Sequence, residues 1–122
     1  DWSEVDADAA RFENLVASHL AKACDAWTDS GEGTFELFLV RDKEKREIDF
    51  LIVRDKKPWL PVEVKLKDTE PSPHFRAFLP QLGCRFGLQV VRTPGVWSVR
   101  EEARTGSRVL VASAAEALAY FA

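Results

Sequence analysis

Two short stretches decide how this sequence is interpreted: Arg46-Glu47-Ile48-Asp49-Phe50 and Val62-Glu63-Val64-Lys65. Both resemble buried β-strands, yet they carry charged side chains. Because side chains alternate between the two faces of a strand, we expect Asp49 to share a face with Glu47 and Leu51, and Glu63 to share a face with Lys65. The opposite faces then carry only apolar side chains: Ile48, Phe50 and Ile52, and Val62, Val64 and Leu66. A charge buried in a sheet is costly unless it is paired or bound to a metal, so these stretches predict a functional site.

The composition is that of one globular domain. The chain has 122 residues, 46% of them hydrophobic and 30% charged, which is enough to bury roughly two-thirds of its unfolded surface and argues against disorder. Apolar runs such as Leu37–Val40 and Phe50–Val53 are far too short to span a membrane, and no signal segment opens the chain. We therefore expect a cytoplasmic protein without membrane contact.

The net charge of −3 is unevenly distributed. Residues 1–36 are strongly acidic, whereas residues 37–67 carry nine Lys and Arg against six Asp and Glu. An acidic protein is not an obvious independent nucleic-acid binder, but a basic hairpin leaves that partner open. Five basic side chains of this region either contact phosphates or are merely solvated: Lys43, Lys45, Arg46, Lys56 and Lys57.

The first half of the chain predicts one helix followed by three strands. Apolar residues at helical spacing indicate a helix capped by Asp6 or Asp8 and running to about Trp27. The predicted strands and turns that follow are a strand over Thr34–Val40, a charged turn over 42–45, a strand over Arg46–Arg54, a turn over 55–58 and a strand over Trp59–Lys67.

The second half predicts a helix, a strand and a short trailing unit. A proline-rich loop leads to a helix over His74–Leu82, in which Pro80 favours a kink or an early end. The remaining predicted elements are strands over Gly87–Arg92, Val96–Val99 and Arg108–Ala112, and a helix over Ala114–Phe121. Ser113 and Glu116 have the spacing of a capping box at the start of this last helix.

Several conspicuous residues have ordinary structural interpretations. Cys24 and Cys84 lack the spacing of a zinc site or a disulfide framework, so we expect two free thiols. His19 lies on the apolar stripe of the first helix and is expected to be a hydrogen-bonded core residue, whereas His74 lies near the presumed cleft. The tryptophans expected to pack in or beside the core are Trp27, Trp59 and Trp97.

The element order α-β-β-β-α-β, with Ile48-Asp49 on the second strand and Glu63-Val64-Lys65 on the third, resembles the PD-(D/E)XK nuclease superfamily. Ile48 stands where the signature has proline. Three further stretches are similar to the nuclease-like module of unknown function at the C-terminal end of prokaryotic P-loop (AAA+-type) ATPases: Phe12–Val16 with His19-Leu20, Arg46–Phe50 and Pro61–Lys65. The resemblance covers about Arg11 to Val91. It implies an α/β, three-layer restriction-endonuclease-like domain with a mixed central sheet flanked by helices.

The predicted chemistry is metal-assisted phosphodiester hydrolysis. Hard cations such as Mg²⁺ or Mn²⁺ prefer oxygen ligands, so Asp49, Glu63 and the Val64 carbonyl are expected to hold the ion, and Lys65 to orient the attacking water. The resemblance adds Glu13, which matches an acidic metal ligand on the first helix. It also adds Gln81, at a polar position that members of the superfamily sometimes use to hold the water or the substrate. Glu47 is expected to be a rim charge rather than a ligand.

The expected function is a divalent-metal-dependent nuclease attached to an upstream ATPase. The chain has no methionine, which predicts a piece of a longer polypeptide, and the resemblance implies that this piece lies at the C-terminal end of an ATPase chain. The chain has no Gly-x-x-x-x-Gly-Lys motif that would bind ATP. The resemblance also implies a homodimer as a partner, because many endonucleases of this fold use two sites to cut two strands. One alternative is a non-catalytic nuclease-fold module that contacts nucleic acid or protein. The other is an ordinary α/β interaction domain, which applies if the four charged residues do not converge: Glu13, Asp49, Glu63 and Lys65.

Overall fold

The computed structural model of the protein describes residues 2–40 and 48–120. Within these residues no helix combines the length and the apolar character needed to cross a membrane. The elements, in chain order, are α1 (Trp2–Asp29), β1 (Phe35–Leu39), β2 (Phe50–Arg54), β3 (Lys57–Lys65), α2 (His74–Leu82), β4 (Phe86–Val91), β5 (Trp97–Glu101), β6 (Arg108–Ser113) and α3 (Ala114–Ala119). The predicted order of helices and strands is therefore confirmed.

The strands form one mixed sheet in the order β1-β2-β3-β4-β6-β5. The first three strands are antiparallel neighbours joined along the chain, whereas β3, β4 and β6 run parallel and β5 is antiparallel to β6. Parallel neighbours need a crossover, and α2 supplies it between β3 and β4. This arrangement places β3, which carries Glu63 and Lys65, in the interior of the sheet.

Helices cover both faces of the sheet, and the alternation of side chains determines which residues meet which helix. The core on the α1 and α3 side consists mainly of Phe12, Val16, Leu20, Phe50, Ile52, Val62, Leu88 and Val90. The core on the α2 side consists of Phe75, Leu79, Cys84, Val91, Val109 and Val111. Since Val62 and Val64 pack towards α1, Glu63 and Lys65 lie on the α2 face, as the strand pattern predicts.

The first helix differs from its prediction at its start and along its apolar stripe. It begins at Trp2, so neither Asp6 nor Asp8 is its cap. His19 is only partly buried, and its Nδ1 lies 3.0 Å from the Leu15 carbonyl oxygen one turn earlier; the core prediction for His19 is therefore wrong. The helix covers the sheet mainly with its i, i+4 residues Phe12, Val16 and Leu20, which leaves Leu15 half exposed.

The hairpin between β2 and β3 is tighter than predicted. Its turn consists of Asp55 and Lys56 alone, both with positive φ (51° and 69°), and β3 already begins at Lys57 rather than at Trp59. Two consecutive positive φ values are typical of a type I′ hairpin, whose twist matches that of the flanking strands. The predicted turn over 42–45, the first part of the predicted second strand and Glu47 lie outside the described residues.

Replacing Lys56 by glycine should stabilise the protein by about 0.5–1 kcal/mol, because a non-glycine residue in the left-handed region is strained. The substitution also removes the exposed ion pair between Lys56 Nζ and Glu36 Oε1, which lie 3.2 Å apart. Losing a surface pair costs about a few tenths of a kcal/mol, which offsets part of the gain. Lys56→Ala is the matched control, since it removes the same pair and keeps the strain. Equal unfolding free energies of the two variants in urea would contradict the prediction.

A β-bulge in β3 accounts for the position of Trp59. The register changes from Ile52↔Leu60 to Val53↔Pro58, so Trp59 has no partner on β2. A bulge redirects the extra side chain, and here the ring contacts the α1 side of the sheet. Trp27, Phe35 and Trp59 lie edge to face, with ring centroids 5.1–5.8 Å apart. The packing predicted for Trp27 and Trp59 is therefore confirmed, and this aromatic cluster closes the hairpin end of the sheet.

The C-terminal half shows two departures from local sequence rules. The helix α2 continues through Pro80 to Leu82 and ends at Gly83 in the left-handed conformation, so Pro80 does not end it early. Ser113 precedes α3 but makes no side-chain capping bond; its hydroxyl instead donates to the Thr93 carbonyl oxygen and accepts the Val96 N–H. The capping-box prediction is wrong because Ser113 ties the loop before β5 to the end of β6.

Both cysteines are free, as expected, and both are buried, in the cores on opposite faces of the sheet. Burial raises the pKa of the Cys24 thiol, with a smaller contribution from the charge of Asp25, and burial also raises the pKa of the Cys84 thiol. A raised thiol pKa lowers the thiolate fraction at neutral pH. The two residues are therefore structural side chains.

Candidate functional site

Glu63 is a charged residue buried in the middle of the sheet. It is 3% exposed, and it stands on β3 between Val62, which is fully buried, and Val64. The apolar side chains of β3 pack on the α1 face of the sheet, so the alternating residues Glu63 and Lys65 lie on the α2 face, where Lys65 is partly exposed. A carboxylate at this depth requires compensation by donors, cations or both.

The compensation reaches only one of the two carboxylate oxygens. Lys65 Nζ lies 3.5 Å from Glu63 Oε1, and His74 Nδ1 lies 3.4 Å from the same atom. The other oxygen, Oε2, is buried and receives no hydrogen bond from any residue that the structure describes. Buried polar atoms in folded proteins are nearly always paired, so an unpaired carboxylate oxygen indicates a place for an additional cation or donor.

Asp49 is held against β3 by backbone hydrogen bonds on either side of Glu63. Its Oδ2 accepts the Val64 N–H at 2.7 Å, and its own N–H donates to the Val62 carbonyl oxygen at 3.2 Å. The Val40 N–H donates to the carbonyl of Asp49 at 3.0 Å, which joins this point to the end of β1. Asp49 therefore lies beside the backbone of Glu63, and Asp49, Glu63, Val64 and Lys65 form one local group.

Glu13 and Gln81 lie on the two helices α1 and α2. Glu13 follows the buried Phe12 on α1, the helix that covers the opposite face of the sheet from Glu63. Gln81 is exposed near the end of α2, seven residues after His74, a distance of about 10 Å along a helix. In the part of the chain described here, no group of three or more His, Cys, Asp or Glu side chains is placed to hold a metal ion. The structure thus brings Asp49 near Glu63 without gathering three carboxylates.

Two neighbours of Glu63 are not among the site residues inferred from the sequence. One is His74, the first residue of α2, and the other is Gln89 on β4, which is directly opposite Glu63 in the parallel register and is completely buried. A sequence signal existed for Gln89, because parallel strands buried on both faces are almost continuously apolar. A single amide in the run Gly87-Leu88-Gln89-Val90-Val91 departs from that pattern.

A surface cleft borders the segment that leads into α2. It has a volume of about 340 Å³ and is walled by residues 70–73, by Phe75, Arg76 and Leu79 of α2, by residues 100–102, and by Ser107 and Val109. Its basic side chains already have acidic partners: Arg76 Nε lies 3.2 Å from Glu102 Oε2, and Arg100 Nη2 lies 3.6 Å from Glu70 Oε1. Among the described residues, the cleft therefore offers no unpaired arginine to Glu63, and the ion-pair partners of Glu63 are Lys65 and His74 instead.

Fold and site together define a mixed α/β domain, a six-stranded sheet between helices, with a buried carboxylate beside a lysine and an anchored aspartate. The chain belongs to the family described as a domain of unknown function, DUF4143, which it matches over residues 9–105. Neither the curated proteins nor the solved structures contain a match. The matched range includes Asp49, Glu63, Lys65, His74 and Gln89.

Proposed function

We propose that this domain is a divalent-metal-dependent phosphodiester hydrolase with a restriction-endonuclease-like topology. The observation that carries the proposal is the buried Glu63 carboxylate, which has two donors on Oε1 and no hydrogen bond to Oε2 from the described residues. Leaving a buried carboxylate oxygen unpaired costs stability, and a bound cation is one of the ways in which proteins compensate a buried charge. Lys65 and Asp49 beside it complete the residue types that this reaction uses.

The residues present fit a hard divalent cation better than zinc. Glu63 Oε2 and the Asp49 carboxylate are oxygen donors, and the Val64 carbonyl is a third. Mg²⁺ is commonly held by one or two carboxylates together with substrate phosphates and water, so a site with two carboxylates does not need Glu13 in its shell. In this proposal the substrate phosphate supplies the missing ligands.

The reaction adds a water oxygen to phosphorus and breaks the bond to one sugar oxygen, which leaves with a proton. A bound Mg²⁺ or Mn²⁺ would supply the acidification of water and the neutralisation of charge on the phosphoryl oxygens. Lys65, on the same strand face as Glu63, donates a hydrogen bond to the attacking water or to a phosphoryl oxygen and offsets its negative charge. Asp49 and Glu63 are themselves held in place, because Asp49 accepts the Val64 N–H and Glu63 pairs with Lys65. Their carboxylates would therefore hold the cation at a fixed position.

The topology and the family support the same class. An antiparallel β1-β2-β3 unit continues through the crossover helix α2 into the parallel strand β4, with Asp49 before β2 and Glu63 and Lys65 on β3. Domains of this family are commonly found C-terminal to AAA ATPases. We therefore place this domain behind an ATPase in a longer chain, where ATP-driven movement of nucleic acid would present phosphodiester bonds to the site.

The first test is a calorimetric titration of the domain with Mn²⁺ and Mg²⁺, alone and with a 20-nucleotide single-stranded DNA. We expect Asp49→Asn to weaken Mn²⁺ binding at least tenfold, because the amide keeps the acceptor for the Val64 N–H but loses the negative charge. Glu116→Gln, an exposed acid on α3, changes the net charge equally and should leave binding unchanged.

The two outcomes separate the proposal from its main alternative. Binding that is lost in Asp49→Asn and retained in Glu116→Gln supports a metal site and justifies a cleavage assay on single- and double-stranded DNA and RNA. No binding by the parent domain at millimolar Mn²⁺, with and without the oligonucleotide, contradicts the hydrolase and favours a nuclease-fold module that only contacts nucleic acid or protein.

A further inference from the structure

Gln89 is the most deeply buried polar side chain beside the proposed site. It lies on β4, is 0% exposed, and is paired in register with Glu63 on the neighbouring parallel strand. Residues paired in a parallel register project their side chains to the same face, which here is the α2 face. An amide in this position stabilises the fold only if its donors and acceptor all find partners.

Every polar function of the Gln89 side chain is used on one loop, residues 68–72. Its Nε2 donates to the carbonyl oxygens of Asp68 at 3.1 Å and Glu70 at 2.8 Å. Its Oε1 accepts the Ser72 N–H at 2.8 Å. Three hydrogen bonds from one buried amide fix the backbone of this loop at both ends and in the middle. The loop connects β3, which carries Glu63, to α2, which begins at His74.

The loop passes this constraint to His74. Ser72 Oγ accepts the His74 N–H at 3.2 Å, which sets the first residue of α2 relative to the loop. His74 Nδ1 in turn lies 3.4 Å from Glu63 Oε1. A continuous chain of hydrogen bonds therefore runs from Gln89 through Ser72 and His74 back to Glu63, which is the neighbour of Gln89 in the sheet.

We infer that Gln89 is a positioning residue of the proposed metal site, acting through Ser72 and His74 on the Glu63 carboxylate. This inference rests on the proposed function. His74 and Lys65 both lie on Oε1, so Oε2 is the carboxylate oxygen that receives no hydrogen bond from the described residues and would bind the cation. Partners that orient a metal-binding carboxylate typically change metal affinity 10–100-fold when removed. His74, rather than Gln81, is then the contribution of α2 to the site.

Two substitutions test this chain of hydrogen bonds at different points. Gln89→Glu removes both N–H donors and sets a carboxylate against two carbonyl oxygens, and we expect 10–100-fold weaker Mn²⁺ binding by calorimetry. Ser72→Ala removes only the acceptor for the His74 N–H and should weaken Mn²⁺ binding three- to tenfold. Because it is the milder change, it tests the inference even where Gln89→Glu fails to fold. The matched control is Thr93→Val, which deletes a hydroxyl that donates to the Leu66 carbonyl oxygen. This bond is not part of the hydrogen-bond chain from Gln89 to Glu63, so Mn²⁺ binding should not change.

A double-mutant cycle distinguishes positioning from a merely structural role. If Gln89 acts through His74, Ser72→Ala and Gln89→Glu should have little further effect on Mn²⁺ affinity in a His74→Ala background. Parent-like Mn²⁺ affinity in Ser72→Ala, or equal losses in both backgrounds, would overturn the inference while leaving the hydrolase standing. A parent domain that binds no Mn²⁺ would overturn both.

Discussion

Glu63→Gln should abolish metal-dependent cleavage while leaving the domain folded. We expect Mn²⁺ affinity to fall at least 100-fold, because the substitution removes a buried carboxylate whose Oε2 receives no hydrogen bond from the described residues. The rate should fall on the order of 10²–10³-fold or more, the typical effect of losing one electrostatic group at a reacting centre. The volume of the side chain hardly changes, so packing against the α2 face is retained.

Glu63→Gln should not lower the stability of the domain, although it should abolish the activity. The ion pairs that the substitution weakens join the buried Glu63 to Lys65 and His74, which are both more than one-third exposed, so solvent screens part of the attraction. The burial of a charge with an unpaired oxygen, in contrast, is unfavourable. We therefore expect the free energy of unfolding in the absence of metal to stay the same or to rise.

Three measurements on the same variant check this result: Mn²⁺ calorimetry, cleavage of labelled DNA and RNA, and urea unfolding with EDTA. The matched control is Glu36→Gln, also a strand glutamate paired with a lysine, in this case Lys56 at the exposed hairpin. Unchanged Mn²⁺ binding by Glu63→Gln would remove the basis of the metal site. A large loss of stability would instead show that the Glu63 carboxylate is chiefly a structural partner.

The charged group on β3 could be predicted from the sequence because it depends on local periodicity alone. Alternation assigns Val62 and Val64 to one core and Glu63 and Lys65 to the other face, and the structure has this arrangement. The position of Asp49 is a similar case, since a hairpin neighbour must lie beside β3. Antiparallel pairing between consecutive strands is local, so its consequences are accessible to sequence reasoning.

The partners contributed from a distance could not be predicted in the same way. Gln89 meets Glu63 only through the register between β3 and β4, which is set by packing on two faces and by the path of α2. His74 and Gln81 lie on the same helix, and spacing does not reveal which end approaches the site. Ser113 shows the same limit, because its hydroxyl is engaged by the loop before β5 rather than by the helix that it precedes.

Gly87→Ala should destabilise the protein by about 1–3 kcal/mol, although replacing glycine by alanine within a strand is usually favourable. A Cβ at Gly87 would lie 2.7 Å from both Cδ1 and Cε1 of Phe75 and 3.4 Å from Cδ2 of Leu79. Phe75 is 2% exposed in the α2 core and directly follows His74, so its ring has little room to move. Urea unfolding, with the slope compared between variants, measures the loss.

Phe75→Leu provides the control, because it removes the ring atoms that the new methyl group would meet. In that background Gly87→Ala should cost less than in the parent, with a coupling of about 1 kcal/mol or more between the two positions. Additive effects, or a Gly87→Ala variant as stable as the parent, would show that the ring can shift without penalty. A dependence on Phe75 would instead establish that glycine at position 87 exists to let α2 approach β4, the approach that also sets His74 above Glu63.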